Sequence, residues 1–123
     1  MSCSRYTPVL QLFSPGGLLA YTGSMDRTVR VWDLRARKIC HVLSGHEHWV
    51  LAGAFSPMGT LLLSSSQDHY LKVWDARTGN QVCEYWAGAP AISIAVDSHS
   101  KKIAVGDATG QIHILELVSA EPW

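Results

Sequence analysis

At 123 residues the chain is long enough for one domain with a real core, and a hydrophobic content of 47% is that of a globular protein. Ten basic and ten acidic residues cancel to a net charge of +0, which argues against a nucleic-acid partner or an anionic membrane surface, because phosphate binding needs clustered Lys and Arg. Three cysteines, Cys3, Cys40 and Cys83, have neither the even count of a disulfide framework nor the short spacings of a zinc site, and no signal peptide opens the chain. The expected setting is therefore a reducing interior, the cytoplasm first and the nucleus as the alternative.

The sequence repeats itself. Phe13-Ser14-Pro15 returns as Phe55-Ser56-Pro57, Asp26 as Asp68, and Val31-Trp32-Asp33 as Val73-Trp74-Asp75, each 42 residues later. After the first Trp-Asp comes the one basic cluster, Arg35, Arg37 and Lys38, which reads as solvated turn charge. The second copy shows the strand pattern most clearly. Segments 49–55, 60–66, 70–75 and 81–86 are β-rich, and Ser56-Pro57-Met58-Gly59, Gln67-Asp68-His69 and Arg77-Thr78-Gly79-Asn80 separate them as turns.

The first two of these strands are almost purely apolar, which suits inner strands covered on both faces. The third alternates, with Leu71 and Val73 expected inward and Lys72 outward. Residues 49–67 are uncharged and as long as a membrane span, but Ser56-Pro57 and Gly59 interrupt them. Two short buried strands are expected, and no membrane segment.

A third copy is weaker. Ile112-His113-Ile114-Leu115-Glu116 lies 41 residues after Leu71-Lys72-Val73-Trp74-Asp75. Val96 lies 41 after Phe55 while Ile92 lies 42 after Val50, which places the loss of one residue between Ile92 and Val96. Trp has become Leu115 and the turn Asp has become Thr109. The expected units are repeat one at 1–44, repeat two at 45–86, a degenerate repeat three at 87–118 and a tail at 119–123. A period near 42 with Gly-His and Trp-Asp marks, and strand centres too close for helices between them, predicts an all-β chain of four-stranded antiparallel propeller blades.

On Gly45-His46, Phe55-Ser56-Pro57, Asp68, Trp74-Asp75 and their first-repeat counterparts, the chain resembles the WD-repeat family from about Pro8 to Leu117. The resemblance implies a structural hydrogen-bond network in each well-formed blade. In repeat two it would join His46, Ser64, Asp68 and Trp74, with Ser66 as the alternative to Ser64. In repeat one it would keep Thr22, Asp26 and Trp32 but lack the histidine. Repeat three has lost all three signature residues and is expected to rely on apolar packing.

The physical logic does not need the family: a buried carboxylate and a buried indole N–H must both find partners. Ser, His and Asp together also suggest a catalytic triad, but every member recurs or decays with the repeat, and no oxyanion-hole motif accompanies them. No catalytic residue and no cofactor is expected. His46 and His48 form an H-x-H pair without further ligands at metal-binding spacing, so no metal is expected either. Gly106-Asp107-Ala108-Thr109-Gly110 joins two strands and reads as a hairpin turn.

Three repeats do not close a ring that takes four to eight blades. Open apolar blade faces and strand edges are expected at both ends, with the chain starting partway through a blade and 118–123 too short and acidic for a final strand. This points to a piece of a longer propeller, needing further WD repeats in cis or in trans. The last repeat resembles the closing, Trp-less blade of some large WD-repeat signalling proteins. The expected function is a non-enzymatic scaffold for a protein or peptide partner, with homo-dimerisation into a six-bladed ring as the alternative. Carried over from the family, the contact positions are Trp49, Leu51 and Gln67 in repeat two, Thr7, Val9 and Met25 in repeat one, and Ala91, Ser93 and Ala108 in repeat three, with Trp49, Leu51, Gln67 and Met25 as the leading candidates.

Overall fold

Runs of β-branched and apolar residues, cut by turns rich in Gly, Pro, Asn and Asp, form eleven strands among the described residues. The computed structural model describes residues 8–13, 19–24 and 27–117, with backbone alone over 8–13 and 22–24. The strands are β1 (Pro8–Phe13), β2 (Leu19–Ser24), β3 (Thr28–Asp33), β4 (Lys38–Ser44), β5 (Val50–Phe55), β6 (Leu61–Ser66), β7 (Tyr70–Asp75), β8 (Gln81–Trp86), β9 (Ala91–Val96), β10 (Lys102–Asp107) and β11 (Ile112–Glu116). Each pairs antiparallel with the next inside three sheets, β1-β2-β3-β4, β5-β6-β7-β8 and β9-β10-β11. No helix occurs among the described residues.

The first sheet holds four strands, which corrects the expectation of a start partway through a blade. Residues 49–67, long enough for a membrane span, are instead β5, β6 and the turn between them. No helix among the described residues is long and apolar enough to cross a membrane.

The core is two layers, one between each pair of sheets. Tyr21, Val29, Val31 and Leu43 of the first sheet meet Val50, Phe55, Leu62 and Trp74 of the second. On the opposite face of the second sheet, Leu63, Leu71 and Val73 meet Ala91, Ile103 and Val105 of the third. The period-2 alternation of strands explains why Leu62 and Leu63 serve different layers. Burial on both faces makes β6 and β7 near-continuous buried runs.

Lys72 is the exception to its predicted outward placement. It is buried, its ammonium donates to Glu84 Oε2 at 2.9 Å and Gln81 Oε1 at 3.4 Å, and it lies 5.4 Å from the centre of the Tyr70 ring. A long stem that buries methylenes while its tip finds an acceptor makes this tolerable.

Two features recur in all three sheets. A bulge at the start of each innermost strand skips Val9, Leu51 and Ile92, the residues between Pro8/Leu10, Val50/Ala52 and Ala91/Ser93. Ala91 therefore corresponds to Val50, and the lost residue sits in the shorter loop before β9, not between Ile92 and Val96 as the sequence suggested.

The second feature is a left-handed residue in the turn between the second and third strands of each sheet: Arg27 (φ 71°), His69 (φ 75°) and Gly110 (φ 88°). Only the third repeat uses the glycine this conformation favours. The outer face of the third sheet is open. Ile112 and Ile114 are 72% and 66% exposed, whereas their counterparts Leu71 and Val73 are 1% and 2% exposed under the third sheet.

Candidate functional site

The loop 45–49, the turn 67–69 and the loop 87–90 gather at one end of the second sheet, the upper end. Backbone bonds tie them there: the Gln67 N–H donates to Trp49 O at 2.9 Å and the Ala87 N–H to His69 O at 2.8 Å. Trp49 is 44% exposed and meets the His48 ring edge-on at 5.5 Å. Leu51, the bulged residue, is half-buried, and Gln67 is exposed. These three sequence-derived contact residues therefore lie side by side. Met25 lies outside the described residues, as do Thr7 and Asp26.

Beneath them runs a chain of polar contacts. The Trp74 indole N–H donates to Ser64 Oγ at 2.9 Å, Ser64 Oγ lies 2.7 Å from His46 Nε2, and His46 Nδ1 lies 2.9 Å from Asp68 Oδ2. An ionised carboxylate only accepts, so His46 Nδ1 carries a proton and donates it to Asp68. The set therefore starts at a donor, the Trp74 indole N–H, and ends at an acceptor, the Asp68 carboxylate.

Asp68 also accepts the N–H groups of Glu47 and Tyr70, both at 2.9 Å. Burial raises its carboxyl pKa, but the His46 bond and those two backbone donors outweigh burial and hold it at about 2. Ser66, the alternative to Ser64, does something else: its hydroxyl donates to His48 O and accepts the Asp68 N–H, both at 3.1 Å. Ser64 is fully buried, its hydroxyl held between Trp74 and His46.

In the first sheet, Trp32 is half-buried on β3, and Thr22 lies on β2 with its side chain outside the described residues. The third sheet departs from the expectation of purely apolar packing. Asp107 is buried at the end of β10 and accepts the Thr109 hydroxyl and the N–H groups of Thr109 and Gln111. His113 Nε2 donates to its Oδ2 at 2.8 Å, and His113 Nδ1 sits 3.0 Å from the Tyr85 hydroxyl of β8. The Thr109 hydroxyl, then His113, hold the Asp107 carboxyl far below the ordinary carboxylate range against the opposing effect of burial.

The carboxylate has moved two residues upstream of Thr109, and its histidine comes from β11. The resulting set joins the third sheet to the second instead of closing within one blade. An Asp before Ala108-Thr109-Gly110 and a His on the strand that follows are the signals from which it was readable.

Among the described residues no group of three His, Cys, Asp or Glu side chains is placed to hold a metal ion. An aromatic corner that sequence reasoning missed adjoins the upper end: Trp86, 55% exposed, has its ring 5.1 Å from both His69 and Tyr70.

The comparisons with known proteins agree with this architecture. Residues 53–117, more than half of the chain, match the family model described as the TEP-1 C-terminal beta-propeller. Residues 2–33 match the WD domain, G-beta repeat. The chain is 51% identical over 35 residues to the general transcriptional corepressor TUP1 of Saccharomyces cerevisiae, covering 28% of this chain and 5% of TUP1. It is 39% identical over 51 residues to the protein Notchless of Drosophila melanogaster, covering 41% of this chain and 10% of Notchless.

A chain in the crystal structure of the mitotic checkpoint complex superposes with a TM-score of 0.85 at 26% identity, covering 91% of this chain and 37% of its own length. The chain thus spans a small part of these curated relatives and just over a third of that solved chain. Sheets of one design, repeated in one register and matched by two related family models, place the chain in the WD-repeat β-propeller family.

Proposed function

We propose that the chain is a non-enzymatic scaffold that holds a protein or peptide partner at the upper end of the second blade, through Trp49, Leu51 and Gln67, with Met25 as the first-blade position of the same surface. The exposure of Trp49 carries this reading. Blade two is flanked by a blade on either side, so a large indole left 44% exposed there is not waiting for a missing neighbour. Aromatic side chains on a rigid support are favoured anchors in interfaces. The neutral overall charge supports a protein partner over nucleic acid or membrane, and the compartment that fits three unpaired-looking cysteines is intracellular, the cytoplasm before the nucleus.

The buried Ser64–His46–Asp68–Trp74 set acts in this reading as scaffold support and not as a catalytic group. The open Ile112 and Ile114 face favours a second role, receiving further WD blades from the same polypeptide or another; closure of two copies into a six-bladed ring is the alternative. A photo-crosslinking amino acid placed in turn at positions 49, 67 and 58 tests the contact surface in cells. Discrete protein adducts are expected from 49 and 67 but not from 58, because Met58 is exposed at the opposite end. Equal yields from all three positions would sink the assignment.

A further inference from the structure

Three observations extend the contact surface and name the chemistry of what it takes. The first is placement. Trp49 immediately precedes β5, Val50 pairs with Ser66 at the end of β6, and Tyr70 at the start of β7 pairs with Trp86 at the end of β8. Both exposed tryptophans therefore stand at the upper end of the same sheet, one at the innermost strand and one at the outermost. Three interstrand spacings separate those strands, about 14 Å in all. An extended peptide covers that in about four residues.

The second observation is that Trp86 is built into a corner. Its ring is 5.1 Å from those of His69 and Tyr70, and it stays 55% exposed between two flanking blades. The corresponding positions in blade one are Arg27, Thr28 and Ser44, so the corner belongs to blade two and not to the repeat.

The third is charge. The chain is neutral overall, but its ends are not. Among the described residues the upper end carries the exposed Glu47, two residues from Trp49, and the internally bonded Asp68 (partly buried) and Asp107 (buried) against Arg27 alone, while the lower end carries Arg35, Arg37, Lys38, Arg77, Lys101 and Lys102 against Asp33, Asp75, Asp97 and Glu116. Two exposed indoles, with the Glu47 carboxylate beside one of them and net negative charge beneath, suit a cationic partner, since a guanidinium over an indole face gains from both ring and field.

Resting on the reading of Trp49 as a contact residue, we infer that the partner segment is an extended, basic peptide. It crosses the upper end of blade two radially and sets one cationic side chain on Trp49 and another, about four residues on, at the Trp86–His69–Tyr70 corner.

The test uses the full chain labelled with 5-fluorotryptophan, in whatever assembly it forms in solution, because association through the end blades leaves blade two open. Trp49→Phe and Trp86→Phe assign two of the five fluorine signals. The probes are acetyl-Arg-Ala-Pro-Ala-Arg-amide and its counterpart with both arginines replaced by glutamate.

The inference expects the Trp49 and Trp86 signals to move together with one saturating constant for the arginine peptide, and neither to move for the glutamate peptide. Trp86→Ala should weaken binding about tenfold, and raising the salt several-fold should weaken it further. Movement of Trp49 alone would overturn the corner as an anchor and leave the contact surface of the proposed function standing. No movement of either signal, or equal movement with both peptides, would overturn the basic partner, while the crosslinking experiment judges the surface independently.

Discussion

Asp68 joins two separate segments of the second blade through one side chain. Its two oxygens take the His46 imidazole and the N–H groups of Glu47 and Tyr70, so one carboxylate ties the loop before β5 to the turn before β7. Asp68→Ala leaves those donors without an acceptor in a partly buried site and should cost about 2–4 kcal/mol in urea unfolding. A loss below about 0.5 kcal/mol would mean that the set adds nothing beyond ordinary surface contacts.

The acid limb of stability carries the same signature. Because the folded carboxyl sits at about 2 against an ordinary 3.8, its contribution is whole above pH 4 and fades as the pH falls toward 2. Wild type should therefore lose more stability than Asp68→Asn between pH 5 and pH 2.5. Parallel losses in the two proteins would contradict the assignment.

Blade-to-blade packing depends on a few close approaches between elements. A Cβ on Gly53 of β5 would lie 2.6 Å from Cζ of the fully buried Tyr21 of β2, so the first two sheets meet at this distance only because β5 has no side chain there. Gly53→Ala should cost about 1–3 kcal/mol by forcing the layers apart, read as a drop in the urea midpoint without a change in slope. An unchanged midpoint would show that the layer can shift freely.

At the next junction, Tyr85→Phe removes the hydroxyl bonded to His113 Nδ1 and should cost about 1 kcal/mol. It should also raise amide exchange in β10 and β11 before β6 and β7. Equal exchange across all four strands would mean that the hydroxyl does not hold the third blade.

The blades themselves were legible because Phe-Ser-Pro, Asp and Val-Trp-Asp mark turns and strand ends by chemistry that recurs at fixed spacing. The register of the third blade was not. Ile92 and Val50 look alike as β-branched residues, yet one is bulged and the other paired, and side-chain type does not mark a bulge. Lys72 and Asp107 escaped notice for a related reason. Glu84 meets Lys72 from a neighbouring strand and Tyr85 meets His113 from a neighbouring blade, so the turn and strand residues around Asp107 were visible while the contacts that bury the two side chains were not.

At the scale of the whole molecule the three sheets form an arc whose inner layers are closed and whose third-blade face is not. Leu71 and Val73 show what that face becomes when a neighbour covers it, and Ile112 and Ile114 show it uncovered. Burying two isoleucines of this size is worth about 3–6 kcal/mol at ordinary transfer values, enough to drive association of a blade that lacks its neighbour. Association through this face, in cis or in trans, is the central claim, and the mass of the freshly purified chain in solution measures it most directly. Multi-angle light scattering should find species larger than 13.5 kDa for wild type, shifted toward 13.5 kDa by Ile112→Lys with Ile114→Lys. A monodisperse wild-type species of 13.5 kDa that unfolds cooperatively would contradict the account.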